Sequence, residues 1–400
     1  MKKIISVLSC IVIVLIPSFI VFASSEDIPE ETADALLTVN TMADVDVHAK
    51  SYVLMDSNTG TVLAASDEHM QLYPASVTKI MTLLLVCEAI NEGKLSFDEV
   101  LTCSETAASK GGSQIWLKPG EEMTVRELLK AAAVYSANDA CTLLGEAVAG
   151  SEAAFAEQMN AKAEKLGMAD THFDNCTGLD DDTTTHLTSA YDVALMSRAL
   201  LQIDYITDFT TIWMDELRGG DTQLVNTNRL IRFYSGATGL KTGTTSKAGC
   251  CVSATAERNG LGLIAVVMGA ANSNDRFNGA RALLDYGFAN YEIFTPVIDA
   301  ESFGTVRVCH GEQNKVPLYV DDARSVLVSK GAVKDVEQKT ELVQQTDAPV
   351  SKGQVLGSVI FYSGDNKIVQ YDLKAACYVP SITFISALFR ILRSVRGENK

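Results

Sequence analysis

The chain has 400 residues, of which 47% are hydrophobic and 21% are charged, and its formal net charge is −17. At about 100–200 residues per domain, this length predicts two or three domains of ordinary globular composition. An acidic chain without a basic stripe argues against nucleic acid as a partner.

The N-terminus predicts export. Two lysines after the first methionine precede an almost wholly apolar run over residues 4–23, and a small-residue site fits cleavage after Ala23. Residues 1–23 are therefore predicted to be a signal peptide that directs the mature chain out of the cytoplasm. An uncleaved anchor is the alternative. A lipoprotein site at Cys10 is disfavoured because too few residues separate it from the lysines.

The next segments predict a linker, a hairpin and a buried helix. Residues 24–48 are acidic and lack periodicity, which is typical of a linker, and residues 51–65 are two strand-like runs around a turn. Pro74 precedes a helix predicted over 76–92, with Gly93 as its stop. Because apolar residues cover every face of this helix, we expect it to be buried.

The middle of the chain predicts helices joined by loops, over residues 94–205. Thr124 and Glu127 have the spacing of a capping box before an apolar run. Ser151 is placed to cap a second helix, and Thr188 is placed to cap a third.

Strand character returns over residues 237–269. Two apolar, β-branched runs flank Asn259 and Gly260, a pair that strongly favours a hairpin turn. A further helix is predicted over 278–286. Together with the preceding helices, these elements predict one catalytic unit over residues 49–290.

The last part of the chain has two distinct patterns. Residues 291–378 alternate short strand-like runs with turns, which predicts a separate β-rich domain. Residues 379–400 predict an amphipathic helix whose arginines fall mainly off its apolar stripe, as in helices that lie in a membrane interface. A helix that packs on its own domain is the alternative. The stripe consists of Ile382, Ile385, Leu388 or Phe389, Leu392 and Val395.

The nine cysteines indicate buried thiols rather than a metal site. Export would permit disulfides, but Cys87 and Cys141 lie in apolar helical stretches, where cysteine is a small core residue. Cys250 and Cys251 are adjacent in a strand-like run and would point to opposite faces. No CxxC spacing or H-E-x-x-H occurs, so we predict mostly free thiols, no metal and no cofactor.

Three short motifs carry the chemistry. Ser76 and Lys79 form S-x-x-K, Ser136 and Asn138 form S-x-N, and residues 241–243 are K-T-G. Each pattern alone arises often by chance. Their order and their structural settings together favour a common site.

The spacing of the first motif suggests an activated nucleophile. Residues three apart on a helix are neighbours, so the Lys79 amine can reach the Ser76 hydroxyl. A serine needs a base, and lysine serves as one when burial or a second cation disfavours its ammonium form. Lys241 would be that second cation. Taken alone, an S-x-x-K pattern is typically a capping serine with a solvent-facing lysine.

The other two motifs supply candidate relays and binding groups. Ser136 could pass a proton to a leaving group, and Asn138 could hold Lys79 or a substrate carbonyl, although both residues also suit simple capping between helices. Lys241 and Thr242 could bind a substrate carboxylate by charge-assisted hydrogen bonds.

The third motif also offers room for a substrate backbone. Gly243 would let an extended peptide approach and add to its strand. The backbone N–H groups of Ser76 and Thr244 are the candidate oxyanion hole.

At these residues the chain resembles the low-molecular-mass penicillin-binding proteins, the serine-type D-alanyl-D-alanine carboxypeptidases. The similar residues extend around each motif, over 73–79, 136–140 and 239–243, and include 171–179. The resemblance covers roughly residues 48–400.

The resemblance implies an α/β (α+β) fold of the β-lactamase/transpeptidase type. An antiparallel sheet is flanked by helices with a helical subdomain, and a small all-β domain and an amphipathic helix follow. It implies that Ser76, Lys79, Ser136, Asn138 and Lys241 take the family's roles. The substrates would be peptidoglycan stem peptides, and β-lactam antibiotics would acylate the serine. The terminal helix would hold the protein on the outer face of the cytoplasmic membrane.

Some residues depart from the family pattern, and others have more than one possible role. Thr244 stands where some relatives have histidine, and Thr238 where many have an acidic residue, which bears on substrate preference. Arg276 could assist carboxylate binding or form a surface ion pair. His172 and His186 are expected to structure a loop. The rival functions are a β-lactamase, against which the β domain and basic tail argue, and an inactive sensor of cell wall or antibiotic.

Overall fold

The structure, a computed structural model, describes residues 45–181 and 183–395. Elements are numbered in chain order. The strands before residue 272 are β1 (Ser51–Asp56), β2 (Val62–Ser66), β3 (Val100–Thr102), β4 (Glu122–Thr124), β5 (Met214–Leu217), β6 (Thr222–Val225), β7 (Ala237–Thr245), β8 (Gly249–Arg258) and β9 (Leu261–Ala270). The α-helices up to residue 290 are α1 (Lys79–Asn91), α2 (Glu105–Ala108), α3 (Val125–Lys130), α4 (Asn138–Ala149), α5 (Glu152–Lys165), α6 (Ala190–Leu201), α7 (Thr207–Thr210), α8 (Leu230–Phe233) and α9 (Ser273–Asn290).

An antiparallel five-stranded sheet with the order β2-β1-β9-β8-β7 is the centre of the fold. Its strands are rich in β-branched and small apolar residues, so both faces can be covered. One face packs against a core that contains α1, α4 and α6, and the other packs against α9. Strand β7 lies at the edge, which leaves one side of its backbone free of a neighbouring strand.

Helix α1 is buried, as its all-round apolar pattern predicts, but it begins later than expected. Residues Ala75–Thr78 form a 3-10 turn, and the α-helix starts at Lys79. Ala75 has φ +48°, outside the helical region, so the chain after Pro74 cannot enter a regular α-helix at Ser76. Ser76 therefore lies in a tight turn that presents its hydroxyl at the mouth of the helix.

Two other helix boundaries differ from the prediction. The capping box at Thr124 and the cap at Ser151 are confirmed. The cap of α6 is Ser189, not Thr188, whose backbone instead pairs with Leu72. Helix α9 extends well beyond 278–286 because Asn272 caps a start at Ser273, which apolar periodicity alone does not reveal.

The cysteines of the described chain are free thiols. Cys250 and Cys251 on β8 do point to opposite faces, since each belongs to a different one of the two cores. Cys10 lies outside the described residues, as do the predicted signal peptide and most of the predicted linker.

A second β structure follows α9. Its strands are β10 (Tyr291–Phe294), β11 (Thr305–Cys309), β12 (Lys315–Tyr319), β13 (Val326–Ser329), β14 (Val336–Leu342), β15 (Gln345–Asp347), β16 (Val355–Ser363) and β17 (Asn366–Ala375). Six of them form a sheet in the order β14-β16-β17-β12-β11-β15, over a hydrophobic core of its own. With the central sheet and its helices, this arrangement confirms the predicted fold class.

Helix α10 (Phe384–Val395) is the last element of the described residues. Four large apolar side chains in its first half are exposed, those of Phe384, Ile385, Leu388 and Phe389. Among residues 45–181 and 183–395, no helix is both long and apolar enough to cross a membrane.

Candidate active site

Ser76 and Lys79 meet at the start of α1. The Lys79 Nζ lies 2.9 Å from the Ser76 Oγ and donates a 2.7 Å hydrogen bond to the Thr177 carbonyl. The Lys79 side chain is 0% exposed, whereas Ser76 is only partly buried. Burial lowers the pKa of Lys79, because the ammonium form loses its hydration. The site thus holds an accessible hydroxyl against an amine that is biased toward its neutral form.

Lys241 reaches the same interior from strand β7. Its side chain is 1% exposed, and its Nζ donates to the Thr242 carbonyl at 3.0 Å. Burial holds the pKa of Lys241 well below its usual range, and the nearby Lys79 charge lowers it further. The two amines therefore share one buried region, as the sequence predicts.

The S-x-N motif supplies two polar atoms without partners. Ser136 ends a π-helical turn with φ 66°, and Asn138 starts α4. The Ser136 Oγ and the Asn138 Oδ1 are buried and have no hydrogen-bond partner among the described residues. The Asn138 Nδ2 donates to the Gly111 carbonyl at 2.7 Å and so supports a loop rather than holding Lys79. Unsatisfied buried oxygens of this kind are typical of sites that a substrate or water completes.

Gly243 lets β7 lie directly against the nucleophile turn, which is the 3-10 turn Ala75–Thr78 that contains Ser76. A Cβ at this position would lie 2.7 Å from the Pro74 carbonyl oxygen and 2.9 Å from the Ser76 nitrogen, distances that no side chain tolerates. The backbone next to Thr244 is therefore held beside the backbone of Ser76. Thr242 is fixed separately, since its Oγ1 donates to the Thr227 Oγ1 at 2.7 Å.

Arg276 is buried, and the alternative of a surface ion pair is wrong. It is 7% exposed, and its Nη1 donates to the Gly243 carbonyl and the Thr244 Oγ1, both at 3.0 Å. The same nitrogen lies 3.3 Å from the Cys251 carbonyl. The guanidinium thus ties the end of β7 to β8 and α9.

The loop over residues 171–186 closes the other side of the site. The Asn175 Oδ1 accepts from the Thr177 and Gly178 backbone at 3.0 and 2.7 Å, which aims the Thr177 carbonyl at Lys79. Gly178 has φ +84°, and a Cβ there would lie 1.8 Å from the Ala75 carbonyl oxygen. The sequence pointed to this loop by resemblance and predicted that its histidines order it, but did not predict the contacts of Asn175, Thr177 and Gly178.

His186 connects this loop to the nucleophile turn. Its Nδ1 accepts the Asp174 N–H at 3.0 Å, so its Nε2 carries the proton and donates to the Thr78 Oγ1 at 2.8 Å. Burial lowers the pKa of His186 to about 4. His172 is exposed, and its Nε2 lies 3.2 Å from the Asp174 Oδ1. Both histidines therefore order the loop, as predicted.

These groups together suit acyl transfer. A hydroxyl beside an amine with a lowered pKa can attack a carbonyl, because the amine can accept the hydroxyl proton. Adjacent backbone N–H groups can stabilise the oxyanion that forms. In the part of the chain that the structure describes, no three His, Cys, Asp or Glu side chains are grouped to hold a metal ion.

Comparisons with known proteins agree with this chemistry. The family model "D-alanyl-D-alanine carboxypeptidase" matches residues 38–272, and "Penicillin-binding protein 5, C-terminal domain" matches residues 291–381. The D-alanyl-D-alanine carboxypeptidase DacF of Bacillus subtilis is 40% identical over 348 residues, which span 86% of this chain and 89% of the relative. The chain belongs to the D-alanyl-D-alanine carboxypeptidase family.

Solved structures of penicillin-binding proteins are similar across the chain. Penicillin-binding protein 5 from Haemophilus influenzae has a TM-score of 0.73 at 30% identity, covering 85% of this chain and all of its own. Penicillin-binding protein D2 from Listeria monocytogenes, in its ampicillin-bound form, has a TM-score of 0.57 at 31% identity, covering 62% of this chain and all of its own. The predicted enzyme class, a serine D-Ala-D-Ala carboxypeptidase, is confirmed.

Proposed function

We propose that Ser76 is the nucleophile of this carboxypeptidase and that Lys79 is its base. The observation that carries the proposal is the 2.9 Å contact between the Ser76 Oγ and an amine whose ammonium form is disfavoured by burial. Lys79 removes the hydroxyl proton as the Ser76 oxygen attacks the carbonyl of the penultimate D-alanine. The Ser136 hydroxyl then relays a proton to the departing amine of the terminal D-alanine.

Deacylation reverses these roles. Lys79 takes a proton from a water molecule as this water attacks the ester carbonyl, and then returns a proton to the departing Ser76 oxygen, which restores the hydroxyl and releases the shortened stem peptide. The Thr177 carbonyl keeps Lys79 oriented through both steps, since it holds one N–H of the amine at 2.7 Å.

The substrate lies along the free edge of β7 in this proposal. Its terminal carboxylate is bound by Lys241 and Thr242, and its scissile carbonyl points at the backbone N–H groups of Ser76 and Thr244. The contact of Gly243 with the nucleophile turn supports this placement, because it brings the two N–H groups to the same side of the cleft. The Asn138 Oδ1, which has no partner among residues 45–181 and 183–395, would face the stem peptide from the opposite wall.

β-Lactams resemble the D-Ala-D-Ala end of the stem and should acylate the same serine. Support comes from the Listeria monocytogenes relative, whose structure is of an ampicillin-bound form. The penicilloyl ester would be released slowly, over minutes to hours.

We also propose an extracytoplasmic enzyme held on the membrane surface. Residues 1–23 would be the export signal, 24–48 a linker, 49–290 the catalytic domain, and 291–378 the β domain. Residues 379–400 would lie in the membrane interface, which the four exposed apolar side chains of α10 support.

The catalytic proposal is tested by D-alanine release from a pentapeptide that ends in D-Ala-D-Ala. Ser76→Ala should lower kcat by a factor on the order of 10⁴ or more, as for other acyl-transfer nucleophiles. Ser109→Ala, at an exposed serine, is the matched control and should leave the rate unchanged. Substantial release by the Ser76 variant would reject the assigned nucleophile.

The membrane proposal is tested by sedimentation with anionic vesicles. Phe384→Asp combined with Leu388→Asp should abolish co-sedimentation, because charges replace exposed apolar side chains on α10. Val297→Asp places a charge at another exposed apolar residue outside α10 and should not. Equal vesicle binding by both variants would reject the role of α10.

A further inference from the structure

Trp116 is turned outward by the carboxylate of Asp139, the residue that follows the S-x-N motif. The N–H groups of its neighbours Ile115 and Leu117 both donate to the Asp139 Oδ2, at 3.1 and 3.0 Å. Two N–H groups that converge on one acceptor force the residue between them to point away. Trp116 accordingly has φ 60°, and its side chain is 73% exposed.

This conformation is unfavourable for the residue that adopts it. A bulky side chain at positive φ is a genuine outlier, and exposure of an indole forfeits the gain of burying it. Such features concentrate at binding sites. Asp139 follows Asn138, whose backbone N–H donates to the Ser113 carbonyl at 2.7 Å. The indole therefore stands on a loop that contacts the S-x-N motif through its backbone.

A groove of about 790 Å³ runs beside the indole, between this loop and the β5–β6 hairpin. Its polar lining is balanced in charge, since two cations face two carboxylates. Arg218 and Glu121 are already paired at 2.7 Å, and Lys118 and Asp221 lie on the same walls. The groove therefore offers little to a free anion or to an apolar helix.

The lining instead suits a carbohydrate. An exposed aromatic face packs against the C–H face of a sugar ring, while amide, carboxylate and cationic side chains hydrogen-bond the hydroxyl groups around its edge. Gln223 and Asp221 supply acceptors, and Lys118 supplies donors. Aromatic surfaces of this kind combine a large apolar contact with a wet rim.

We propose that the Trp116 groove binds a saccharide unit of the glycan strand that carries the stem peptide. The proposal rests on the proposed function, which places the stem in the adjoining cleft. About four extended residues separate the scissile carbonyl from the sugar, a reach of roughly 14 Å at ~3.5 Å per residue. A sugar bound beside Trp116 would hold the scissile carbonyl of the stem in position at Ser76. The enzyme would then have a higher kcat/KM on polymeric peptidoglycan than on free peptide.

The test compares two substrates, a disaccharide-linked pentapeptide and the free pentapeptide. Trp116→Gly removes the ring and accepts the positive φ, so the loop keeps its shape. It should lower kcat/KM about tenfold on the disaccharide substrate and less than twofold on the free peptide, and Trp116→Phe should restore most of the loss. Tyr378→Ala, at an exposed aromatic residue in the β structure, is the control.

Equal losses of kcat/KM on both substrates would show that the groove serves the peptide, and no loss on either substrate would show that it serves neither. Either result overturns the proposal. Absence of D-alanine release by the wild type from both substrates would instead reject the proposed function.

Fluorescence gives an independent readout of the sugar site. The chain has 2 tryptophans, so Trp213→Phe leaves Trp116 as the single reporter. Titration of this variant with the peptide-free disaccharide should produce a saturable change in emission, which does not depend on catalysis. A flat titration would contradict sugar binding at Trp116.

Discussion

Acid should weaken the fold through one buried histidine. His186 is neutral in the folded protein, where burial lowers its pKa to about 4, whereas an unfolded histidine has a pKa near 6.5. Between these values the unfolded chain binds more protons than the folded chain, so the free energy of unfolding falls as pH falls. A difference of roughly 2.5 units at 1.36 kcal/mol per unit predicts a loss of about 3 kcal/mol, complete below the folded pKa.

The assay is urea unfolding followed between about pH 7 and pH 4. His186→Gln removes the titrating ring and should flatten the pH dependence by the predicted amount relative to the wild type. His69→Gln is the control with opposite sign, because Asp170 raises the pKa of His69 and its contribution grows as pH falls. Parallel pH profiles for the wild type and the His186 variant would refute the reasoning.

Three further predictions concern the packing of the site. Gly178→Ala should lower penicillin acylation at least tenfold, since its Cβ would meet the Ala75 carbonyl oxygen at 1.8 Å, and unchanged acylation would contradict that contact. Lys241→Met should abolish D-alanine release yet raise the free energy of unfolding by about 0.5–2 kcal/mol, because an apolar side chain replaces a buried amine whose ammonium form is disfavoured; a fall in the urea midpoint would contradict this. Arg276→Lys should raise KM about tenfold with a smaller effect on kcat, since lysine cannot span the contacts to Gly243 and Cys251, and wild-type kinetics would reject this role.

Much of the site follows from local sequence. The spacing of Ser76 and Lys79 brings their side chains together because residues three apart are also neighbours in the 3-10 turn before α1, and α1 is evident because apolar residues cover all its faces. Glycine in the third motif likewise predicts that another backbone lies close to β7. The structure shows this contact between Gly243 and the nucleophile turn.

The partners that lie far apart in the chain could not be predicted. The Thr177 carbonyl reaches Lys79 across 98 residues, and no spacing rule connects them. Arg276 is 33 residues from Gly243, and only the packing of α9 under the sheet shows that it is buried. Nothing in the sequence distinguishes Trp116 from other loop residues. Its exposure follows from the Asp139 carboxylate, which accepts hydrogen bonds from the N–H groups of both neighbours.

The central claim is that one half-buried hydroxyl is made reactive by the amine beside it. Peptide mapping by mass spectrometry after brief exposure to benzylpenicillin tests it most directly. A single penicilloyl adduct on the peptide that contains Ser76, absent from Lys79→Ala over the same interval, is the predicted result. An adduct on any other residue, or labelling of the Lys79 variant at the wild-type rate, would contradict it.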